Sequence, residues 1–403
     1  MTSGWLPPVD RIAAAFAGMP EAVAPVFLAD AARGSNRGLP TLLSWWQLQG
    51  HTLPDSLAAE LACHRHRQSV YGDVLNRVRH HEPGMVPAKG PTVWALYPPG
   101  LLRLTADLDL LFPSAASMWS VAQLLVADGW APSMMWAWRL AAGTHFHIVV
   151  ARPSRQPMVL ADERIELATI AYEGDHVWRE PRLRSWAAGE QPGTADCFAW
   201  FLDELGERPL HMRDLFDLAV LAHAAEDADL ESVAADVARL VDAYRLRPQL
   251  RRLRRDARRW CPAAVSILEA IGRRLARTPA SQWSGPWPFH RHPLAGGLSL
   301  AQAASRKNRP AAARDGADSV LVAAQRHWSP LWLLQRGVPL YGLAIPNGRP
   351  VAGQGVALCS DDDAFWFETP AGRFVGSLGP AVLQQWVDRA SSDVPAPHQV
   401  ALL

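Results

Sequence analysis

The chain has 403 residues, of which 49% are hydrophobic and 20% are charged, and its formal net charge is +1. This length and composition are typical of a globular protein with two or three domains and a large buried core. The near-zero charge argues against a protein dedicated to nucleic-acid binding, because such domains are usually strongly basic.

The four cysteines, Cys63, Cys197, Cys261 and Cys359, lie far apart in the chain. They form no Cys-x-x-Cys pair, which indicates reduced thiols and not a disulfide framework or a zinc site. The N-terminus lacks a basic region followed by an apolar segment, so no signal peptide is predicted. No stretch reaches the length of a membrane span. We therefore expect a cytoplasmic protein without a membrane contact.

Residues 1–83 are predicted to be helices, because apolar residues recur there at helical spacing between breaks rich in proline and glycine. We interpret them as an N-terminal helical cover. The range that follows, 84–180, is predicted to hold the core of the protein and its functional site.

Two aspartates stand out in this core. Asp107 and Asp109 lie in a predicted strand, 101–112, where alternation places both side chains on one face. Two neighbouring carboxylates repel each other unless a cation lies between them. Oxygen ligands of this kind suit Mg²⁺, so the pair predicts a metal site.

Lys89 and Gly90 are predicted to form the turn between a first strand, 85–88, and a short helix that begins at Pro91. The free N–H groups at the start of a helix attract anions, and Lys89 adds a positive charge there. The chain has only two lysines among its 40 basic residues. The Lys-Gly pair therefore predicts an anion site.

Arg103 lies four residues before Asp107 on the predicted strand, and this even spacing places both on the same face. Its guanidinium would bind phosphate oxygens or hold the carboxylates in place. An ion pair without a catalytic role is the alternative.

The combination of Lys89-Gly90, Tyr97-Pro98, Arg103 and the run 107–111, Asp-Leu-Asp-Leu-Leu, resembles the uncharacterised nucleotidyltransferase family of the polymerase-β-like nucleotidyltransferase superfamily. In that family Lys-Gly stands where other superfamily members have Gly-Ser, and members often occur near genes for ribosomally made peptide products. The resemblance implies a small sheet flanked by helices, Mg²⁺ or Mn²⁺ held by the carboxylates, and a nucleoside triphosphate (NTP) as substrate.

The resemblance also implies a third carboxylate on a neighbouring strand, which completes the metal shell and assists deprotonation of the acceptor hydroxyl. Glu166 is the favoured candidate, because Glu166 and Leu167 match a Glu-Leu-His strand of the family. Ala168 stands where the family often has histidine. Asp162, in the turn before this strand, is the alternative.

After a helix predicted over 115–128, alternating apolar residues predict further strands, at 130–139, 144–150, 157–160 and 164–171. His145 and His147 share one face of the second of these. They are interpreted either as half-exposed strand histidines or as contacts for the triphosphate or the acceptor.

Residues 190–280 are predicted to be a helical domain. Its segment 210–218 resembles the helical stretch that follows the catalytic sheet of the family. Within it, Asp217 either pairs with Arg213 one helical turn away or faces the cleft and positions the nucleotide or acceptor. The arginines of 245–259 are interpreted as a solvated helix face, with binding of RNA or an acidic peptide as the alternative.

The range 281–318 is predicted to be a linker rich in proline and glycine. The range 319–403 is predicted to be a β-rich subdomain, with short strands at 319–323, 332–334, 339–345, 355–359, 364–368 and 374–376 and a final helix at 381–389.

The sequence thus predicts an α+β (α/β) protein with a small mixed sheet as a nucleotidyltransferase core. The leading functional hypothesis is Mg²⁺-dependent transfer of a nucleoside monophosphate to an unidentified acceptor, for which the resemblance suggests a peptide natural product or its precursor. A non-catalytic protein that binds a peptide or another partner with the same fold is the alternative. An RNA-directed nucleotidyltransferase is the third hypothesis.

Overall fold

The computed structural model describes residues 9–19, 25–33, 37–140, 143–154, 161–171, 191–277, 293–305, 310–346, 348, 350–351, 353, 355–361, 364–392 and 398–402. These residues form a mixed α/β structure in which helices pack on both faces of one ten-stranded sheet. The predicted strand at 157–160 lies outside the described residues.

The N-terminal part is helical, as the sequence predicts. Its helices are α1 Val9–Ala17, α2 Pro25–Ala32, α3 Leu39–Leu48 and α4 Asp55–His81. Five more follow the functional site along the chain: α7 Thr194–Glu207, α8 Met212–Ala228, α9 Leu230–Ala243, α10 Arg247–Trp260 and α11 Val265–Arg277. Helices α1 to α3 share one apolar core with these five. The two helical regions are therefore one packing unit, although residues 84–180 separate them in sequence.

The sheet contains ten strands in the order β1-β2-β5-β4-β3-β6-β9-β8-β7-β10. The strands are β1 Val86–Pro87, β2 Asp107–Leu111, β3 Ala131–Leu140, β4 Gly143–Pro153, β5 Asp162–Ala168, β6 Leu340–Ala344, β7 Ala357–Ser360, β8 Phe365–Thr369, β9 Gly372–Ser377 and β10 His398–Ala401. Strands β2 and β5 pair in parallel, and the other neighbours are antiparallel.

The parallel pair has one apolar face and one polar face. Leu108 and Leu110 of β2 are fully buried together with Ile165 and Leu167 of β5. They share this core with α6 Ala115–Ala127, whose start is capped by the Ser114 hydroxyl. Asp107 and Asp109 of β2 and Glu166 of β5 consequently face the other way, toward the helical unit.

The sheet is larger than the sequence predicts. Residues of β3 pair with β6, from Met134 with Leu343 to Ala137 with Leu340, so the C-terminal strands continue the sheet that carries the aspartates. The predicted small core sheet and the predicted β-rich subdomain, 319–403, are thus parts of one ten-stranded sheet. Short strands of mixed polarity do not reveal their pairing partners in sequence.

Helix α5 Gly90–Trp94 lies before β2, where the sequence predicts a short helix. Three more helices occur where the sequence predicts a linker or strands, and they precede β6: α12 Pro293–Ala304, α13 Ala311–His327 and α14 Pro330–Gln335. The predictions of a linker over 281–318 and of strands at 319–323 and 332–334 are wrong wherever these helices lie. Ala317, Leu321 and Ala324 of α13 are buried at helical spacing, which outweighs the β propensity of Val320 and Val322.

In the C-terminal part, α15 Gln384–Ser391 covers β8 and β9, where Trp366, Val375 and Trp386 form a separate apolar cluster. No helix within the described ranges is both long enough and apolar enough to cross a membrane.

The arginine-rich helix is α10. Leu250, Leu253 and Ala257 bury its apolar stripe, so the arginines occupy the remaining faces. Arg258 pairs with Glu269 of α11 at 2.6 Å, and Arg254 binds the same carboxylate. These pairs agree with the interpretation of a solvated face that is partly neutralised by neighbouring helices.

Candidate active site

Three carboxylates lie on the polar face of the parallel strand pair. The register places Asp109 of β2 directly beside Glu166 of β5, and Asp107 lies two residues earlier on the same face of β2. The Asp109 side chain is 11% exposed, whereas the Glu166 side chain is 25% exposed. The strand register therefore places the three residues that the sequence nominates as metal ligands on one polar face, with Asp109 and Glu166 side by side.

Burial is the main electrostatic influence on the two aspartates. It raises the pKa of Asp107, and the charge of Glu166 raises it further. Burial likewise raises the pKa of Asp109 well above its ordinary value, although Lys89 opposes the shift. Like charges held this close in a poorly solvated place favour a bound cation.

Lys89 supplies a positive charge beside Asp109, with Nζ 3.6 Å from Asp109 Oδ1. The residue itself has a positive φ of 47°, which is uncommon for a residue with a side chain. The sequence assigned the turn to Gly90, but the left-handed conformation lies one residue earlier. Because α5 has only five residues, Lys89 and not the helix start is the source of positive charge here.

Gly90 packs closely against Arg103. A Cβ atom at this position would lie 3.2 Å from Arg103 Nη1, so the absent side chain allows the guanidinium to approach the backbone. Gly90 thus connects the Lys-Gly turn with Arg103 through close packing.

Arg103 is not on the strand that carries the aspartates, because β2 begins at Asp107. Its Nε and Nη2 donate hydrogen bonds of 2.8 Å to the two oxygens of Asp217, and both side chains are buried. The Tyr97 hydroxyl donates a third bond, of 2.7 Å, to Asp217. The prediction that Arg103 faces the carboxylates from the same strand is therefore wrong, and the ion-pair alternative describes its contacts.

Burial by itself lowers the pKa of Arg103, but the Asp217 carboxylate more than compensates and the net shift is upward. The predicted pairing of Asp217 with Arg213 within α8 is a weaker contact, because the shortest distance between them, from Asp217 Oδ2 to Arg213 Nε, is 3.9 Å. Both Arg103 and Asp217 line a small pocket that also contains Lys89. This pocket adjoins the carboxylates through Lys89 and Glu204, which line both.

Glu204 of α7 forms the wall opposite the strands. It lines the pocket that contains Asp109, Glu166 and His147. Burial raises the pKa of Glu204, but the charges of Arg213 and Arg208 lower it to about 2. Glu204 is therefore an anion held by arginines and cannot serve as a proton donor at neutral pH.

His147 of β4 lies beside the third carboxylate. Its Nε2 is 3.3 Å from Glu166 Oε2, and its ring lies 4.6 Å from the Trp136 ring of β3. His145 occupies the same face two residues earlier, but its Nδ1 contacts the Thr169 hydroxyl at 3.2 Å. Of the two histidines, His147 therefore lines the carboxylate pocket, and among the described residues His145 is not part of that lining.

Asp162 lies at the start of β5, where its carboxylate pairs with Arg164 at 3.2 Å. Four residues of strand separate it from Glu166, which is roughly 13 Å. Glu166 is therefore the carboxylate beside Asp109, and Asp162 lies at the distant end of the strand.

Mg²⁺ fits this donor set by chemistry, although within the described residues no three histidine, cysteine, aspartate or glutamate side chains form a ready cage for a metal. Mg²⁺ is commonly held by one or two carboxylates together with substrate phosphates and water molecules. Burial, together with the neighbouring carboxylates, raises the pKa values of Asp107 and Asp109, and a bound cation would offset both effects. Asp107, Asp109 and Glu166 are the residues that would hold Mg²⁺ or Mn²⁺.

Several residues of this site have no clear signal in the sequence. Glu204 of α7 lines the pocket, Arg213 of α8 lies 3.6 Å from Glu204, and the Trp136 ring of β3 packs on His147. Arg213 lies in the segment that resembles the family, but its sequence spacing does not predict that its charge lowers the pKa of Asp107.

Comparison of this chain with protein-family models, with curated proteins and with solved structures finds no significant match.

Proposed function

We propose that this protein is a Mg²⁺-dependent nucleotidyltransferase that moves a nucleoside monophosphate from an NTP to an acceptor. The observation that carries the proposal is the register of the parallel strands, which aligns Asp109 with Glu166 and leaves Asp107 on the same face. The resemblance of the Lys-Gly, Arg and Asp-x-Asp pattern to a nucleotidyltransferase family supports the same function.

In this proposal an oxygen of the acceptor attacks the α-phosphorus of the NTP. The bond between that phosphorus and the oxygen that bridges the α- and β-phosphates breaks. Pyrophosphate leaves, and the acceptor proton passes to a base. Glu166 is the candidate base, with His147 3.3 Å away to share the proton. Bound Mg²⁺ would neutralise phosphate charge and align the reactants.

Lys89 provides charge at the phosphate side of the pocket. Its Nζ already lies 3.6 Å from Asp109 Oδ1, so its ammonium group is within reach of a phosphate bound next to the carboxylates. Arg103 lines the adjoining pocket, and its Nε and Nη2 donate hydrogen bonds to the Asp217 carboxylate and not to the carboxylates of β2. We therefore assign Arg103 to positioning and not to direct phosphate contact.

The acceptor class rests on the resemblance alone, which suggests a ribosomally made peptide product or its precursor. One observation favours the alternative of a non-catalytic binding protein: within the described residues the carboxylates do not form a complete metal cage. The two functions differ in whether nucleotide binding depends on Mg²⁺ and on Asp109.

The experiment that tests the proposal measures thermal stability with each of the four NTPs, with and without Mg²⁺. We expect an increase in the melting temperature that requires both ligands, because a ligand that binds only the folded state stabilises it. The increase should disappear in Asp109→Asn and persist in Asp162→Asn, which alters a carboxylate at the distant end of β5. No increase at millimolar NTP would contradict the proposal.

Nucleotides that pass this test are then incubated with candidate acceptors, and released pyrophosphate is measured. Mg²⁺-dependent release that is lost in both Asp107→Asn and Asp109→Asn is the expected result. NTP binding without release from any acceptor would favour the binding protein.

A further inference from the structure

Helix α4 contacts the carboxylate strands through two buried polar side chains, those of Arg67 and Tyr71. Tyr71 is fully buried, and Arg67 is 5% exposed. The two residues lie one helical turn apart, with the Arg67 Cζ atom 5.8 Å from the centroid of the Tyr71 ring. Buried polar groups are hydrogen-bonded in folded proteins, so the partners of these two side chains show what they hold in place.

The Tyr71 hydroxyl bridges the starts of β2 and β5. It donates a hydrogen bond of 3.0 Å to the carbonyl of Ala106, the residue before β2, and it accepts one of 2.9 Å from the backbone N–H of Arg164 in β5. A hydroxyl can do both, because it has one donor and two acceptor lone pairs. Burial raises the pKa of Tyr71 to about 12, so the hydroxyl keeps its proton at neutral pH and continues to donate.

Arg67 binds the same two strand ends. Its Nη1 donates to the Ala106 carbonyl oxygen at 3.4 Å, and its Nη2 donates to the carbonyl oxygen of Asp162, the first residue of β5. Both side chains of α4 therefore bind backbone groups at the start of both strands.

These backbone groups lie directly before the carboxylates. Ala106 precedes Asp107, and Arg164 lies two residues, roughly 7 Å of strand, before Glu166. The register pairs Asp107 with Arg164 and Asp109 with Glu166. A misalignment at the start of the parallel pair would displace every pair that follows, and a slip of one residue would turn side chains to the opposite face. The bonds from α4 therefore lie where they control how Asp109 and Glu166 face each other.

We propose that Tyr71, assisted by Arg67, is a positioning residue of the carboxylate site, whose hydroxyl fixes the alignment of β2 with β5 so that Asp109 and Glu166 together receive a divalent cation. The cation rests on the proposed function, whereas the strand alignment does not. The inference assigns a role at the site to the N-terminal helices, which the sequence suggests only as a cover.

The experiment compares Tyr71→Phe with a matched control on the same sheet. Gln325 of α13 also bridges strand backbone, because it donates to the Gly376 carbonyl and accepts the Leu378 N–H, each at 3.2 Å. Its strand, β9, is separated from β5 by β4, β3 and β6. Gln325→Met therefore removes bonds of the same kind without touching the carboxylate strands.

Binding of Mn²⁺ alone is measured by electron paramagnetic resonance, and folding is checked by thermal melting. Both variants should lower the melting temperature, because each leaves a buried N–H and a buried carbonyl without a partner. Only Tyr71→Phe should weaken Mn²⁺ binding, by about tenfold or more, as is usual when a hydrogen bond that orients metal ligands is lost. Unchanged Mn²⁺ affinity in folded Tyr71→Phe, or an equal loss in Gln325→Met, overturns the inference.

Backbone amide hydrogen exchange of the metal-free protein tests the alignment separately. Tyr71→Phe should speed exchange in residues 107–111 and 162–168 and leave β8 and β9 unchanged. Arg67→Gln, which removes the other bonds to the same strand ends, decides the outcome if Tyr71→Phe does not fold.

A natural protein that binds no Mn²⁺ would contradict the proposed function, and exchange then decides the inference. An increase confined to β2 and β5 supports the role of Tyr71 in strand alignment. No increase, or one that spreads over the whole sheet, overturns it.

Discussion

The Arg103 guanidinium and the Asp217 carboxylate form a buried pair of parallel hydrogen bonds, each 2.8 Å long, across 114 residues of sequence. Arg103 belongs to the segment between the Lys-Gly turn and the aspartates, whereas Asp217 belongs to α8. The pair therefore joins α8 of the helical unit to the segment that leads into β2. Tyr97 completes it with a hydrogen bond from its hydroxyl to Asp217.

Removal of one member of this pair should destabilise the protein strongly. Arg103→Met or Asp217→Leu leaves the other charge buried and uncompensated, which costs about 3 to 5 kcal/mol of unfolding free energy. The double variant should lose less than the sum of the two single losses, because no charge remains unpaired. Urea denaturation of the four proteins measures the coupling, and additive losses would show that the two groups do not act together.

The pH dependence of stability reports on Asp109. Because burial raises its pKa, the folded state keeps the Asp109 proton to a higher pH than the unfolded chain does. The free energy of unfolding in the absence of metal should therefore fall as the pH rises from about 4 through the raised pKa.

Asp109→Asn removes this contribution, so we expect the variant to be more stable than the natural protein at pH 7.5 and the difference to shrink toward pH 4. Urea denaturation in chelator at both pH values provides the measurement. Asp162→Asn, which replaces a partly exposed carboxylate at the start of β5, should follow the natural protein. A natural protein with no such fall between pH 4 and 7.5 would contradict the prediction.

Glu204 should change the free energy of unfolding with pH in the direction opposite to Asp109. Its pKa is lowered to about 2 once the charges of Arg213 and Arg208 overcome the effect of burial, so its contribution to stability is present above its unfolded pKa of about 4.5. We expect Glu204→Gln to lower the free energy of unfolding at pH 7 by about 2 kcal/mol. The loss should diminish as the pH falls through 4 toward 2, where the natural protein also loses the charge. Glu226→Gln, at an exposed position of α8, should leave stability unchanged.

Two glycine substitutions should change stability in opposite directions. Gly376 of β9 lies against the Phe365 ring, and a Cβ atom there would overlap it, so Gly376→Ala should cost about 2 kcal/mol or more. Gly72 lies inside α4 with open space where a Cβ atom would be, so Gly72→Ala should add about 1 kcal/mol. Thermal melting of both variants tests whether β9 packs as described. Equal stability of Gly376→Ala and the natural protein would contradict it.

The local features of the site could be predicted from sequence. Alternation along β2 places Asp107 and Asp109 on one face, and Leu108 and Leu110 are buried on the other. Helical spacing likewise predicts α7 to α11. These features depend on residues within a few positions of each other, so their periodicity is visible in one chain.

The sequence predicts a strand over 101–112, whereas β2 begins at Asp107. Residues 101–106 are apolar enough to resemble a strand, but Arg103 turns to Asp217 and the Ser44 hydroxyl accepts the Leu102 backbone N–H. Burial against the helical unit replaces strand pairing in this segment. Burial of Leu321 and Ala324 in the core on the apolar face of the sheet likewise makes α13 a helix, where β-branched residues favour a strand.

What the sequence by itself determined is therefore the alternation of the carboxylate strand, the helical character of the flanking regions and the residue types of the site. Only the tertiary structure decided that Glu166 rather than Asp162 lies beside Asp109, and that both short hydrogen bonds of the Arg103 guanidinium go to Asp217. Strand register and charge pairing depend on which distant surfaces are buried together. That choice minimises exposed apolar area and unpaired charge over the whole chain, and it leaves no periodic trace in the sequence.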